Sequence, residues 1–362
     1  YPYGLFACPM DDVVRLHASS GTTGKQIVVG YTKGDLDMWS DCLSRALNAA
    51  NATNKDFVQN CFGYGLFTGG IGMHDGITKI GATVIPISTG NTRRQIDTMI
   101  DFGSTFLCAT PSYAEYLAEE INKEGLKDKI KLKNALLGAE PWGEKMRESI
   151  ESKLNIKAFD IYGLSEIMGP GVAYECECQN GLHFNEDHFI PEILDPITSE
   201  PLKDGEIGEL VITTLDKEAF PLIRFKTHDL SRIYTEKCSC GRTFKRISKI
   251  QGRTDDMLII RGVNVFPSQI EEVLLKYGKG ITPNYLIIVD RINNTDTLEI
   301  DVEMNEEFFF DDVKSIESIT REIKEKLRSI LGLSASISLV SPGSIKRSEG
   351  KAKRVIDKRI IE

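Results

Sequence analysis

What the 362-residue sequence has little of narrows its function early. Positive charge is in deficit: 44 Lys and Arg stand against 53 Asp and Glu, a net charge of −9. A nucleic-acid or anionic-membrane surface would be repelled over much of such a chain, so any polyphosphate must be gripped locally. No apolar run approaches the roughly 18 residues of a membrane span, and Tyr1-Pro2-Tyr3-Gly4 does not read as a secretion signal. The expectation is a cytoplasmic protein with neither membrane nor nucleic acid as partner. Eight cysteines in a chain this long are too few for a disulfide scaffold. Cys8, Cys42, Cys61 and Cys108 are scattered among apolar or helical residues as small hydrophobes. Internal repeats and low-complexity tracts are absent as well. What remains is an ordinary globular composition, 41% hydrophobic and 27% charged, long enough for two or three domains.

One loop stands out against this background. Ser19-Ser20-Gly21-Thr22-Thr23-Gly24-Lys25 combines two glycines, four hydroxyls and an ammonium with no carboxylate nearby. The glycines let successive N–H groups turn into one concavity, which suits a polyphosphate. The Walker spacing cannot be laid over it, and Ile27-Val28-Val29 after it reads as a strand, so the cradle is hairpin-like. A solvated turn is the alternative for the heptapeptide taken alone.

Beyond the loop, Thr32-x-x-Asp35 marks a helix start, with Leu36, Trp39, Leu43 and Leu47 at helical spacing. Apolar runs at 57–62, 82–87, 105–109, 135–137 and 158–161 read as strands. Helices are expected at 92–102, from a Ser112-x-x-Glu115 capping box, and at 143–154. Strands alternating with helices predict a largely parallel sheet covered on both faces. From Gly181 the texture turns to β, with strands at 189–195 and 209–214. After the polar Gly252-Arg253-Thr254-Asp255-Asp256 segment a small α+β unit is expected. Its parts are a strand at 257–260, a helix capped by Ser268-x-x-Glu271, strands at 285–290 and 297–304, a helix faced by Val313, Ile316, Ile319, Ile323, Leu327 and Leu331, and a strand at 336–340.

Polar clusters fall where the strands end. Gly138-Ala139-Glu140-Pro141 follows one, and Asp160-Ile161-Tyr162-Gly163-Leu164-Ser165-Glu166 follows the next. In a parallel sheet the carboxyl ends of strands are where ligands bind, so these turns and the opening loop outline a nucleotide crevice. Glu166 suits a magnesium ion beside phosphates. Asp229 is a candidate ribose acceptor with Arg253 as the matching donor, although a surface ion pair would look the same. Gly350-Lys351 presents a lysine on a loop after a strand, where a solvated tail is the alternative.

Taken in order, Ser-Ser-Gly-Thr-Thr-Gly-Lys, Tyr-Gly-Leu-Ser-Glu at 162–166, Asp229, Gly-Arg-Thr-Asp-Asp from 252 and Gly-Lys at 350–351 resemble the motif series of the adenylate-forming enzymes. These include acyl-CoA synthetases, adenylation domains and luciferases. Phe62-Gly63-Tyr64-Gly65-Leu66-Phe67-Thr68-Gly69-Gly70, 161–171, 257–267 and Arg347-Ser348-Glu349-Gly350-Lys351 are most similar to the phenylacetate–CoA ligase family, from Tyr3 to the end. The fold this implies is α/β. It has a large N-terminal domain of α/β layers with a β-rich subdomain (1–253) and a small mobile α+β C-terminal domain (254–362). The segment that family members carry ahead of the loop is missing from this sequence. The implied reaction ligates phenylacetate to coenzyme A through acyl-AMP, using MgATP; another aryl acid such as indoleacetate or a benzoate, or a carrier protein as acceptor, is the alternative. A silent nucleotide-binding regulator is disfavoured because both the loop and Lys351 are present.

The resemblance also implies roles. Ser19, Ser20, Gly21, Thr22, Thr23, Gly24 and Lys25 would hold the β- and γ-phosphates. Gly138, Ala139, Glu140 and Pro141, with Asp160, Ile161, Tyr162 and Gly163, would hold adenine. Ser165 and Glu166 would meet the α-phosphate and magnesium, Asp229 and Arg253 the ribose. Lys351 would bridge the carboxylate and the α-phosphate. Asp255 would be the hinge about which the small domain turns, and Gly262, Val263 and Asn264 would serve the coenzyme A step. Phe62, Tyr64, Phe67, Gly138, Ile167 and Pro170 would line the acyl pocket, although core packing would also explain the aromatics. Ser165 stands where the wider superfamily has Thr, and Lys346 places a second cation near Lys351. A homodimer is the implied assembly.

Cys176, Cys178, His183, Cys238 and Cys240 flank the β-rich part and form a separate constellation. Cys176, His183, Cys238 and Cys240 are the expected ligands of a structural zinc, with Cys178 able to replace one of them; free thiols are the alternative.

Overall fold

The structure, a computed structural model, describes residues 1–19, 26–254, 256, 258–261, 263–277, 280–292, 295–309, 313–347 and 354–359. Ser20–Lys25, Asp255, Gly262 and Lys351 therefore lie outside the described residues, as does the side chain of Asn264. The chain divides into two compact units, Tyr1–Pro141 with Arg147–Gln251, and Trp142–Met146 with Gly252–Glu362.

The first unit opens with an antiparallel hairpin, β1 (Arg15–Ser19) and β2 (Ile27–Tyr31), followed by α1 (Lys33–Ala49). Then come β3 (Phe57–Asn60), α2 (Thr68–Lys79), β4 (Thr83–Ile85), α3 (Thr92–Asp101), β5 (Phe106–Ala109), α4 (Pro111–Lys123), β6 (Asn134–Gly138), α5 (Glu144–Leu154) and β7 (Lys157–Leu164). The strands β7, β6, β5, β3 and β4 lie side by side and parallel, as the alternating pattern predicts. Three antiparallel strands, β8 (Gly169–Glu175), β9 (Leu182–Phe184) and β13 (Arg246–Ile247), extend the same sheet beyond β7. A separate antiparallel sheet joins β10 (Phe189–Leu194), β11 (Gly208–Thr214) and β12 (Phe225–Ser231). The core runs from Trp39, Leu43 and Leu47 through Val58, Phe106, Leu136 and Phe159 to Phe184 and Ile212.

α1 begins where its capping box predicts: the Asp35 N–H donates to Thr32 Oγ1 at 3.0 Å and the Thr32 N–H to Asp35 Oδ2 at 3.0 Å. Two other caps differ from expectation for one shared reason. In α4 the cap is Thr110, whose Oγ1 accepts from the Tyr113 N–H, and Pro111 takes the first helical position. Ser112 is thus already inside the helix, and Glu115 binds Lys153 Nζ at 2.5 Å and Ser149 Oγ at 2.7 Å. In α6 (Pro267–Tyr277) a proline again takes the first position, and Gln269 rather than Glu271 reaches back, accepting from the Phe266 N–H at 3.1 Å. A fixed proline φ and a missing N–H suit that position, so each helix starts ahead of its serine.

α2 is absent from the sequence reading because Thr68-Gly69-Gly70-Ile71-Gly72 is poor helix material. Packing overrides propensity. A Cβ on Gly72 would lie 2.1 Å from the Trp39 ring and one on Gly76 2.5 Å from Leu43 Cβ, so the glycines let α2 lie directly on α1.

The second unit contains the hairpin β14 (Leu258–Ile260) and β15 (Val263–Val265), then α6, β16 (Ile281–Ile292), β17 (Thr295–Met304), the short α7 (Glu306–Phe309), α8 (Val313–Leu331), β18 (Ser336–Val340) and β19 (Val355–Asp357). Its sheet runs β18-β17-β16-β19, and Ile323, Leu327 and Leu331 of α8 are buried against it. β19, which pairs in parallel with β16, has no counterpart in the sequence reading.

Candidate active site

The hairpin stem β1–β2 brackets Ser20–Lys25, and Ser19 closes β1 opposite Ile27. The last residue of β6 lies beside residues 160–163, which are part of β7 and not of a turn following it, because the strand continues to Leu164. Gly138 pairs with Ile161, and a Cβ there would lie 2.3 Å from the Ile161 carbonyl, so only glycine allows this spacing. Ala139 follows at φ 74°, and Glu140 Oε1 accepts from the Ser112 N–H at 2.6 Å, which ties the turn to the first residues of α4. Asp160, Ile161 and Tyr162 are buried on β7. The Tyr162 hydroxyl donates to Asp229 Oδ2 at 2.6 Å, joining β7 to β12. The Asp229 N–H donates to Thr227 Oγ1 at 3.1 Å, which holds the backbone at this position.

Beyond Gly163 and Leu164 a turn carries Ser165 and Glu166, both half-buried. Ser165 Oγ lies 3.0 Å from Thr68 Oγ1 at the start of α2. The backbone is tight here: a Cβ on Gly163 would sit 1.8 Å from the Gly169 carbonyl. Of the aromatic motif, Phe62 is buried, Tyr64 is half-buried and accepts from Asn60 Nδ2 at 2.8 Å, and Ile167 is fully buried with Pro170 half-buried nearby in sequence. Phe67 instead precedes α2 as its N-cap residue and is 59% exposed.

Next to Asp160 lies an ion pair that the sequence does not advertise. Arg147 and Glu175 are both buried, with Arg147 Nη2 2.8 Å from each carboxylate oxygen. Arg147 Nη1 donates to the Ala158 carbonyl at 2.7 Å, and Glu175 Oε2 accepts from the Asp160 N–H at 2.8 Å. The pair thus clamps the strand carrying Asp160 and Tyr162.

Within the second unit, Arg253 is half-buried, and Val263 and Asn264 pair with Ile260 and Ile259 across the β14–β15 hairpin. The described residues that flank 348–353, Arg347 and Arg354, are both anchored. Buried Glu303 of β17 receives both Arg347 guanidinium nitrogens, at 2.9 and 2.8 Å, and the Ile345 N–H at 3.2 Å. On the far side Arg354 lies 4.6 Å from the Tyr285 ring centroid and donates to the Pro283 carbonyl at 3.1 Å. Nothing in the sequence spacing links Glu303 to Arg347, 44 residues apart.

Cys176, His183, Cys238 and Cys240 come together as one group whose ligand atoms all lie within 4.8 Å of one another. Cys176 Sγ is 3.7 Å from Cys238 Sγ, and Cys240 Sγ is 3.3 Å from His183 Nε2. A tetrahedron with zinc–sulfur bonds of about 2.3 Å has sulfur–sulfur edges of about 3.8 Å, so the donors stand at ligand spacing. Burial lowers His183, favouring the neutral imidazole that binds metal, and raises Cys176 in the absence of a cation. Cys178 is outside the group, 3.2 Å from Ser239 Oγ.

Comparison with known proteins places these features in context. The model of the AMP-binding enzyme family matches residues 6–215, and that of the AMP-binding enzyme C-terminal domain matches 262–359. Curated phenylacetate-coenzyme A ligases from Pseudomonas putida and Thermus thermophilus are 49% and 48% identical, each over 99% of this chain and over 82% and 84% of their own lengths. That of Escherichia coli is 48% identical over 100% of this chain and 82% of its own. Among solved structures, 2-hydroxyisobutyryl-CoA ligase in the postadenylation state with 2-HIB-AMP has a TM-score of 0.88 at 27% identity, covering 97% of this chain and 75% of that one. Among the described residues no helix is long and apolar enough to cross a membrane.

Proposed function

The chain belongs to the AMP-binding enzyme family, and from that membership we propose that it is an acid–thiol ligase that joins phenylacetate to coenzyme A at the expense of ATP. The observation that carries this reading is the similarity to phenylacetate-coenzyme A ligases over 99% of this chain, combined with the pairing of Gly138 on β6 beside Ile161 on β7. In the first step a carboxylate oxygen attacks the α-phosphorus and pyrophosphate leaves; in the second the coenzyme A sulfur attacks the acyl carbon and AMP leaves. Ser19–Lys25 would grip the departing phosphates. Gly138–Pro141 and Asp160–Gly163 would seat adenine, and Asp229, oriented by Tyr162, would accept from ribose with Arg253 as donor. Ser165 would meet the α-phosphate and Glu166 would hold magnesium, which neutralises phosphate charge. Lys351 would stabilise the charge that builds as the two anions meet. Residues 1–253 would form the adenylating domain and 254–362 the small domain, turning about Asp255 to bring Val263 and Asn264 to the coenzyme A step.

The acyl pocket is assigned to Phe62, Tyr64, Gly138, Ile167 and Pro170; the exposure of Phe67 argues for a place at its mouth. An apolar slot separates aryl acids by only about 1–3 kcal/mol per methylene, so indoleacetate or a benzoate is the competing substrate. Cys176, His183, Cys238 and Cys240 fit a zinc ion by donor chemistry and spacing, and it would staple β8 and β9 to the 238–240 loop without entering the reaction. A cytoplasmic homodimer completes the reading, carried by family resemblance alone.

The test is pyrophosphate release across a panel of carboxylic acids, with and without coenzyme A. Phenylacetate should lead the panel, and coenzyme A should raise turnover and yield a thioester. Release with no aryl acid, or adenylation that coenzyme A leaves unchanged, would overturn the reading.

A further inference from the structure

Three buried side chains, from β2, α1 and the loop after β11, converge on one short stretch, Ile167–Pro170, immediately after Ser165 and Glu166. Lys217, following β11, is 4% exposed; its Nζ donates to the Ile167 carbonyl at 3.0 Å and lies 3.9 Å from the Tyr31 ring centroid. Tyr31, the last residue of β2, donates its hydroxyl to the Met168 carbonyl at 2.7 Å. Trp39 of α1, stacked on Tyr31 with centroids 5.2 Å apart, donates Nε1–H to the Pro170 carbonyl at 2.9 Å. His17 of β1 stands edge-on to both rings, at 5.4 and 5.7 Å. The Ser165–Glu166 turn and the stem of the Ser19–Lys25 loop therefore share one buried support.

A lysine in such a place is costly. Burial pulls Lys217 down to about 7, with Asp35 opposing, whereas a methionine would fill the same volume without that penalty. What the methionine lacks is the donor to Ile167. We infer that Lys217, acting with Tyr31 and Trp39, is a positioning residue that fixes the Ser165–Pro170 segment so that the acid and the α-phosphate are held in register for the first step. This rests on the proposed adenylation reaction. Register matters while the two reactants are separate molecules, where a misplacement of about 1 Å can cost on the order of 100-fold. Once acid and phosphate are joined in acyl-AMP, the covalent bond supplies the register itself.

The variants are Lys217→Met and Tyr31→Phe, the second of which removes one hydroxyl and leaves the packing. Two rates are measured on each: acid-dependent ATP–pyrophosphate exchange, with kcat and KM for ATP, and thioester formation from supplied acyl-AMP and coenzyme A. The exchange uses whichever aryl acid the wild type accepts, so an error in the acid does not compromise it. Exchange kcat should fall about tenfold or more with KM for ATP within about threefold, and thioester formation should stay within about threefold of wild type. Parallel loss of both half-reactions, or no loss of exchange in a folded variant, would overturn the inference. Should Lys217→Met not fold, Tyr31→Phe decides by the same criterion. Absence of exchange by the wild type with every acid would overturn the adenylation reading itself.

Discussion

Removing the carboxylate of Glu175 should destabilise the first unit more than almost any other single change to a polar side chain. Arg147 and Glu175 have side chains 4% and 0% exposed, so neither charge can turn to water when the other is lost. Glu175→Ala takes from the buried Arg147 guanidinium the carboxylate that Nη2 binds and deprives the Asp160 N–H of its acceptor. Breaking a buried pair from one side costs about 3–5 kcal/mol. For a unit of this size each kcal/mol lowers the midpoint by about 2–4 °C, so a fall of roughly 10 °C is expected. Arg147→Met combined with Glu175→Leu removes both charges and should recover most of that loss, because the desolvation cost disappears along with the attraction. Urea titrations and thermal melts of the three variants test this, with KM for ATP as a functional readout because β7 carries Asp160 and Tyr162. A Glu175→Ala cost below about 1 kcal/mol, or a double variant no better than the single, would refute the reasoning.

Other predictions rest on separate features. Lys217 is held at about 7 by burial against an ordinary 10.5, so between those limits the unfolded chain keeps a proton that the folded one has released. Wild-type stability should rise with pH across that window, by at most about 1.4 kcal/mol per pH unit, and lose this slope below about 7, where both states are protonated. Relative to Lys217→Met, wild type should gain about 2–3 kcal/mol between pH 7 and 9 in urea titrations, and parallel curves would contradict the assignment. Purified protein should contain about one zinc per chain; Cys238→Ser should lose it and melt earlier, while Cys178→Ser should keep it. Lys351→Ala should abolish adenylation yet leave thioester formation from supplied acyl-AMP largely intact, as half-reaction assays would report.

The parallel sheet was legible because its strands are continuous apolar runs between amphipathic helices, a signal that burial on both faces imposes. α1 was legible from its capping box. α2 was not, because its glycines are chosen for contact with Trp39 and Leu43, a tertiary constraint that local propensity cannot express. The caps at Ser112 and Ser268 misled because a preceding proline moved the helix start forward. The clustering of Cys176, His183, Cys238 and Cys240 was readable from two Cys-x-Cys pairs and one histidine, since metal ligands must be of few types. The supports of the site were not: Lys217 sits in an ordinary Asp-Lys-Glu sequence, Arg147 on a helix rich in charge, and Glu303 on a strand of alternating acids. Their burial and partners arise from residues 28 to 50 positions distant, so no local pattern announces them.

The central claim is that the carboxylate itself attacks the α-phosphorus. Phenylacetate labelled with heavy oxygen in both carboxylate positions, turned over with ATP and coenzyme A, should give AMP carrying one labelled oxygen and phenylacetyl-CoA retaining the other. Label-free AMP beside a labelled thioester, or label in the pyrophosphate, would contradict the acyl-AMP route.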